Sequence, residues 1–262
     1  MSESSIWPAA EAANRAELLA YAGTGACLES YRAANIAWVL TGVPSDDYNG
    51  VIWARLTDEE ADLLPSILVD RFRMHQLPST WHLDAGTQPA DLRERLDRLG
   101  CRPVRPAVGT AAPIVEATRG MRDLPQLAVD RVTTADDLST WIDVWTSVSG
   151  EPRAPRETLY ASLGLKRLEP LRHYLARLNG RPVGVSQLFL GQQAAGVYAV
   201  AVRPDYRRIG IGAALVQRPL LEARTLGYDL AVADPAADTL PFFTTLGLVE
   251  FASPFPRYRL FP

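Results

Sequence analysis

The stretch from Val197 to Gly212 reads Val-Tyr-Ala-Val-Ala-Val-Arg-Pro-Asp-Tyr-Arg-Arg-Ile-Gly-Ile-Gly, and it decides the fold. Its first six residues are small, branched or aromatic, which is typical of a strand that is buried on both faces. Pro204 ends this strand, and a short basic turn leads through Gly210 and Gly212 into the apolar run 213–216. The stretch therefore predicts a strand that runs through an arginine- and glycine-containing loop into the first turn of a helix.

Such a helix start is suited to binding a polyphosphate. The amides of the first turn have no partner within the helix, and the macrodipole places about half a positive charge there. Glycine at 210 and 212 keeps side chains away from these amides, while Arg207 and Arg208 add positive charge. We therefore expect a pyrophosphate to bind at this turn.

Two common phosphate-binding motifs are excluded. A P-loop requires Gly-x-x-x-x-Gly-Lys-Ser/Thr, and no lysine follows here. The dinucleotide fingerprint Gly-x-Gly-x-x-Gly requires a third glycine at the position of Leu215.

The remaining pattern, Arg207-x-x-Gly210-x-Gly212 after a strand that ends at Pro204, resembles motif A of the GNAT superfamily of acyl-coenzyme A dependent N-acyltransferases. In that family the loop amides hold the pyrophosphate of coenzyme A. The strand before the loop splays from its neighbour, so that free backbone groups pair with the pantetheine arm. The resemblance implies that the cofactor-binding residues are Val200, Ala201, Val202, Arg207, Arg208, Ile209, Gly210, Ile211, Gly212 and Ala213.

Composition favours a small-molecule partner. The chain has 262 residues, 47% of them hydrophobic, which is enough for two ordinary domains with a core. A net charge of -3 gives no electrostatic reason to expect nucleic acid or a membrane surface. No secretory leader or membrane-spanning run is evident, so we expect a cytoplasmic protein. Cys27 and Cys101 have no neighbours at metal-ligand spacing, and we expect no metal.

The order of predicted elements occurs twice along the chain. Each half has a strand, a helix, another strand and another helix, and the second helix is closed by Gly100 in one half and Gly247 in the other. These glycines are 147 residues apart, which is the size of a GNAT domain. The resemblance implies an α/β (α+β) fold of two tandem GNAT-like domains, 1–125 and 126–262, each with a mixed, mainly antiparallel sheet flanked by helices.

The first copy lacks the features of the cofactor loop. The helix after strand Val51–Leu56 opens with Thr57 and Glu60 in a capping box, and its first turn carries Asp58, Glu59 and Asp62. These carboxylates complement the helix N-terminus but repel a pyrophosphate. We therefore interpret residues 1–125 as a degenerate GNAT-like domain and residues 126–262 as the catalytic one.

Neither of the family's usual proton-transfer groups stands at its expected position. GNAT enzymes often have a tyrosine four residues before the glycine that closes the last helix, and Phe243 stands there; some have a glutamate at the position of Gly196. Asp234 follows the strand that should diverge from 197–202, near the expected acyl group, although the favoured interpretation of this residue is the N-cap of a helix over 235–246. Tyr198 lies on the central strand, where a core aromatic is about as plausible as a catalytic group.

These patterns leave three functions open. The leading one is an acyl-CoA dependent N-acyltransferase that moves an acetyl group from acetyl-CoA to the amine of a small molecule by direct attack. The second is a GNAT-fold enzyme that uses another acyl thioester or carrier. The third is a coenzyme A-binding protein without catalysis.

Overall fold

The computed structural model describes residues 6–104, 108–165, 169–252 and 257–261. Its helices are α1 Trp7–Ala22, α2 Asp58–Met74, α3 Leu92–Arg98, α4 Ile114–Ala117, α5 Ala135–Ser149, α6 Arg153–Leu163, α7 Ile211–Thr225 and α8 Leu240–Thr245. Its strands are β1 Glu29–Arg32, β2 Ile36–Leu40, β3 Asn49–Ala54, β4 Ser79–His82, β5 Arg102–Pro103, β6 Val108–Pro113, β7 Leu127–Arg131, β8 Leu171–Leu178, β9 Arg181–Leu190, β10 Ala195–Val202, β11 Leu230–Ala233, β12 Val249–Ala252 and β13 Arg257–Leu260.

The chain divides into two compact units, each with its own sheet. The six-stranded unit contains Arg15–Val108, Thr158–Leu163 and Ala252–Pro262. The seven-stranded unit contains Met1–Asn14, Gly109–Glu157 and Gly164–Phe251. The predicted fold class, two mixed and mainly antiparallel sheets flanked by helices, is confirmed.

The six-stranded sheet has the order β1-β2-β3-β4-β13-β5. Among the described strand pairs of this sheet, β3–β4 alone is parallel. All five residues of β2 are buried, and Val69 and Phe72 of α2 pack with Trp81 of β4 in one apolar core. The predicted capping box starts α2: the Glu60 amide donates to Thr57 Oγ1, and the Thr57 amide donates to the Glu60 carboxylate.

The seven-stranded sheet has the order β12-β6-β11-β10-β9-β8-β7. Its hairpin β8–β9 turns at Asn179 and Gly180, whose φ values of 52° and 77° are both in the left-handed region that a two-residue turn of type I′ requires. The sequence predicted this hairpin correctly. β10 lies at the centre of the sheet, antiparallel to β9 and parallel to β11.

Each sheet contains one strand from the opposite half of the sequence. β6 lies antiparallel to β11, with Ala111 opposite Val232, although it precedes residue 125. β13 lies between β4 and β5, with Tyr258 opposite Trp81, although it is the last strand of the chain. The compact units therefore differ from the continuous ranges 1–125 and 126–262, and tandem duplication with those boundaries stays a prediction.

A polar cluster fixes α7 to β8 and β7 of the seven-stranded sheet. Glu222 of α7 accepts hydrogen bonds from Arg172 and, at 2.5 Å, from the Tyr174 hydroxyl, and Arg131 lies 3.6 Å from the same carboxylate. Burial, followed by the hydrogen bond to Glu222, raises the pKa of Tyr174 above its ordinary value. This cluster fixes α7, and the first turn of α7 contains the last three of the predicted cofactor residues.

Candidate functional site

β10 and β11 pair over a short distance and then separate. Their parallel register contains two pairs, Ala195 with Ala231 and Gly196 with Val232. β10 continues to Val202, whereas β11 ends at Ala233. Within the described residues no ladder joins Val197–Val202 to β11, so this side of β10 presents a backbone edge to the split between the strands.

A bulge in β10 lies at the start of this split. The register with β9 shifts between Tyr198, opposite Gln187, and Ala201, opposite Val185, so β10 carries one extra residue. Ala199, inside the bulge, has φ 49°, a conformation that costs a non-glycine residue of order 1–3 kcal/mol. A bulge bends its strand and increases its twist, which accounts for the departure of β10 from β11.

The loop after β10 leads into α7 as the sequence predicted. Pro204–Tyr206 form one 3-10 turn, and Arg207–Gly210 are exposed. Arg207 Nε donates to the Val202 carbonyl at 2.9 Å, which fastens the loop to the end of the strand.

The first turn of α7 begins without a side-chain cap. Its N-cap is Gly210, with φ 94°, and no side chain of that residue is available to satisfy the amides that follow. A Cβ at Gly212 would meet the Phe242 ring at 3.4 Å, which is an ordinary contact. The predicted cofactor residues therefore form one continuous run from the split strand to an uncapped helix start.

The two candidate catalytic residues lie on opposite sides of the split. Tyr198 and Asp234 are each two residues beyond the last paired positions, Gly196 and Val232. The Tyr198 side chain is half-buried, and its hydroxyl donates to Asn14 Oδ1 at 2.7 Å. Asp234 is half-buried as well.

The predicted helix over 235–246 is wrong in its first half. α8 begins at Leu240 after Thr239, and the Ala236 carbonyl accepts from the amides of Thr239 and Leu240 in a turn. Asp234 is therefore not the N-cap of this helix. It lies instead at the C-terminal end of β11, beside the split.

Phe243 does not reach the surface of the split. Its side chain is 6% exposed and packs in the apolar core with Val216, Leu220 and Ala233. The neighbouring Phe242 is only half-buried and is the ring that approaches Gly212. The position at which the family resemblance implies a proton donor is thus part of the core.

His173 is no candidate for a base at neutral pH. It is 2% exposed, contacts Gln187 Nε2 through its Nε2 at 2.9 Å and packs edge-on against Trp141. Burial, followed by the charges of Arg156 and Arg131, lowers the pKa of His173 to about 3.

In the six-stranded unit, β3 and α2 correspond to β10 and α7. Other segments of the chain bind to the edge of β3 and to the start of α2. β3 also pairs with its parallel neighbour β4 in two positions only. Beyond them, the Gln88 amide donates to the Ala54 carbonyl at 3.1 Å, and the Leu56 amide donates to the Gln88 carbonyl at 3.0 Å. The segment at Gln88 thus occupies the edge of β3, whereas in the described part of the chain β11 does not pair with the equivalent edge of β10 beyond Gly196.

Side chains also surround the first turn of α2, the helix that follows β3. The guanidinium of Arg95 donates to the carboxylates of Asp58 and Asp62 beside the first turn of α2, and its Nε donates to Asp91 at 3.1 Å. These ion pairs and the capping box leave no arrangement there like the glycine-opened turn of α7.

Sequence reasoning missed Asn14 and Gln88 as members of these sites. Both act through contacts with residues far away in the sequence, 184 positions in the case of Asn14 and Tyr198. The single local signal for Asn14 is that asparagine is a weak helix former within the alanine-rich α1.

Residues 6–104, 108–165, 169–252 and 257–261 contain no cluster of His, Cys, Asp and Glu side chains suited to a metal ion. In the same ranges, no helix has the length and apolar character that crossing a membrane requires.

Comparison with known proteins identifies the domain that contains the site. Residues 136–248 match the family model described as Acetyltransferase (GNAT) family. No curated protein matches the sequence significantly.

Similar solved structures extend over most of the chain. A GCN5-related N-acetyltransferase from Kribbella flavida has a TM-score of 0.66 at 16% identity, covering 95% of this chain and 93% of its own. A conserved protein of unknown function from Staphylococcus epidermidis ATCC 12228 has a TM-score of 0.58 at 14% identity, covering 90% and 93%. A tandem GNAT protein from the clavulanic acid biosynthesis pathway has a TM-score of 0.55 at 14% identity, covering 88% and 81%. At these identities the likeness shows the fold, a tandem GNAT-like one, and the family match assigns residues 136–248 to a GNAT acetyltransferase domain.

Proposed function

We propose that the protein is an acyl-CoA dependent N-acyltransferase that transfers an acetyl group from acetyl-CoA to the amine of a small molecule in the cytoplasm. The observation that carries the proposal is the separation of β10 from β11 after two pairs, beside an uncapped α7. An open strand edge can pair with the amides of a pantetheine arm, and an open helix start can receive a pyrophosphate. The match of residues 136–248 to an acetyltransferase family model supports the same reaction class.

The proposed cofactor site follows the chain from the split to α7. Pantetheine pairs with the backbone of Val200, Ala201 and Val202. The pyrophosphate accepts from the amides of Arg208–Ala213, and the guanidinium groups of Arg207, held by its Nε at the Val202 carbonyl, and of Arg208 supply positive charge beside it.

The proposed reaction is direct attack. The amine nitrogen forms a bond to the thioester carbonyl carbon, the carbon–sulfur bond breaks with its electron pair going to sulfur, and the amine loses one proton. Asp234 is the proposed acceptor of that proton, and the thiolate takes a proton from water. A backbone amide near Val200 polarises the carbonyl oxygen as negative charge develops on it.

The test compares two substitutions at Gly212. Gly212→Ala adds one methyl group in ordinary contact with Phe242, and we expect affinity for acetyl-CoA within a few-fold of the original protein. Gly212→Asp places a carboxylate against the pyrophosphate, and we expect affinity to fall by a hundredfold or more, about 2.7 kcal/mol. Isothermal titration calorimetry measures both, with circular dichroism as the check on folding.

Activity is measured as thiol release from acetyl-CoA and longer acyl-CoAs with a panel of amines. Turnover with an amine supports the transferase. Tight binding of acetyl-CoA without turnover of any amine would instead favour a coenzyme A-binding protein, and turnover confined to a longer chain would favour another acyl donor. Equal affinity of Gly212→Asp and Gly212→Ala would contradict the assignment of the loop.

A further inference from the structure

The side chain of Asn14 hydrogen-bonds to the residue before β10 and to a residue within β10. Its Nδ2 donates to the Ala194 carbonyl at 2.7 Å, immediately before β10, and its Oδ1 accepts from the Tyr198 hydroxyl at 2.7 Å. Asn14 is 1% exposed. The same stretch of α1 is fixed against the sheet, since Ala10 packs with Ala111, Ala194 and Val232.

The pair of Asn14 and Tyr198 fills the space of a side chain at position 196. A Cβ on Gly196 would lie 2.1 Å from Asn14 Oδ1, 2.5 Å from Tyr198 Cε2 and 2.8 Å from the Tyr198 hydroxyl oxygen. A glutamate at this position would therefore displace Asn14. The amide and the hydroxyl stand where the family resemblance implies the carboxylate of a base.

The two hydrogen bonds also fix the direction of the tyrosine proton. A backbone carbonyl can only accept, so the contact with Ala194 must be made by the NH₂ group of Asn14. The amide oxygen consequently faces Tyr198, and the hydroxyl must donate to it. Toward any third group, the phenolic oxygen then acts as an acceptor.

We propose that Asn14 is a positioning residue for acyl transfer, which orients the Tyr198 hydroxyl so that its oxygen accepts a hydrogen bond from the attacking amine of the acceptor. This inference rests on the proposed function. As the nitrogen forms its bond to the carbonyl carbon, its N–H groups become positively charged and bind an oxygen acceptor more strongly. A contact that strengthens in this way lowers the barrier more than it tightens ground-state binding.

The location of Tyr198 suits this role. It lies at the bulge, two residues beyond the last β10–β11 pair and directly before the strand edge assigned to pantetheine. The thioester carbonyl at the end of the pantetheine arm would be polarised near Val200, on the same strand. An amine bound at the Tyr198 oxygen is thus held beside the carbon that it attacks.

The test is a double-mutant cycle with Asn14→Leu, Tyr198→Phe and the double variant. The matched control is Asn35→Leu, because Asn35 in the six-stranded unit also donates through Nδ2, to Glu60 at 2.9 Å, far from β10 in the sequence. For each protein we would measure thermal stability, acetyl-CoA affinity by calorimetry, and kcat and KM for the amine.

We expect Asn14→Leu and Tyr198→Phe each to lower kcat about tenfold, with KM for the amine changed less and acetyl-CoA affinity unchanged. The double variant should be no slower than either single variant, because both remove one oriented hydroxyl. Asn35→Leu should retain kcat.

Two results would overturn the inference. If Asn14 is purely structural, Asn14→Leu lowers thermal stability and leaves kcat of the folded protein unchanged. Additive losses of kcat in the double variant would overturn it as well. Failure of the original protein to bind acetyl-CoA or to turn over any amine would instead overturn the proposed function, on which the inference rests.

Discussion

The backbone amide of Gln88 donates to the carbonyl of Ala54 at 3.1 Å, so the chain itself occupies the edge of β3. On β10, the equivalent parallel strand of the other sheet, the edge beyond the last pair with β11 is not covered by β11. Two strands with the same two-pair parallel register therefore differ in what lies beside them. β3 and β10 differ in the backbone hydrogen bonds along this edge. The helices that follow them differ as well, because the first turn of α2 is acidic and that of α7 is not.

This contrast predicts one coenzyme site per chain. We expect calorimetric titration with acetyl-CoA to saturate at one molecule per chain, and Gly212→Asp to remove all measurable binding. Thr57→Ala, which breaks the capping box of α2, serves as the control and should leave the stoichiometry unchanged. Binding at the original affinity in Gly212→Asp would indicate a second site and contradict the prediction.

The two glycines of the loop should differ in their tolerance of alanine. At Gly210, φ is 94° and a Cβ would lie 3.2 Å from Leu124, so Gly210→Ala should lower the free energy of unfolding by about 1–2 kcal/mol. Gly212 is within α7 and has room for a methyl group, so Gly212→Ala should be neutral or stabilising by up to about 1 kcal/mol. Urea denaturation measures both, and an equal loss at the two positions would be inconsistent with the backbone described here.

Adding a hydroxyl at position 243 should destabilise the protein. Phe243 lies in an apolar core, so Phe243→Tyr buries a hydroxyl among carbon atoms and should cost about 1–3 kcal/mol of unfolding free energy. Phe242→Tyr is the matched control, because its ring is half-buried at 5.2 Å from that of Phe243 and should tolerate the hydroxyl better. If Phe243→Tyr is as stable as the original and more active, the position faces the thiol after all.

His173 should make the stability of the seven-stranded unit depend on pH. Its folded pKa of about 3 lies below the ordinary value of 6.5, so between these values the unfolded state binds more protons than the folded one. Stability contributed by the neutral imidazole is complete above about pH 6.5 and falls by up to about 1.4 kcal/mol per unit as the pH decreases toward 3.

Substitution of His173 tests this dependence. We expect His173→Gln to flatten the decrease between pH 6.5 and pH 4 in urea denaturation. His75→Gln is the control, because His75 is a half-buried histidine in the six-stranded unit, where it contacts Glu29. An unchanged pH profile for His173→Gln would show that other groups cause any acid sensitivity.

The sequence predicted features whose causes are local. The apolar run, Pro204 and the two glycines predicted the strand, the loop and the start of α7, and Asn179-Gly180 predicted the hairpin, because these residues restrict the backbone directly. The helix over 235–246 was wrong in its first half: the turn at Ala236 delays α8 to Leu240. Local preference there is too weak to decide between a turn and a helix.

Features that depend on distant partners were not predictable. β13 pairs with β4, and Asn14 contacts Tyr198. Both contacts join residues that are more than 150 positions apart in the sequence. The sequence shows that position 196 is a glycine rather than a glutamate, and the packed structure shows in addition that the side chain of Asn14 takes the space there. No periodicity within a single element carries such information.

The exchange of β6 and β13 constrains how this gene can be shortened or recombined. A fragment that ends at residue 125 has no strand to place between β4 and β5, and a fragment that begins at residue 126 has none to place between β11 and β12. Each half of the sequence thus supplies a strand to the sheet that is built mainly from the other half, so a shortened gene that keeps only one half leaves both sheets incomplete.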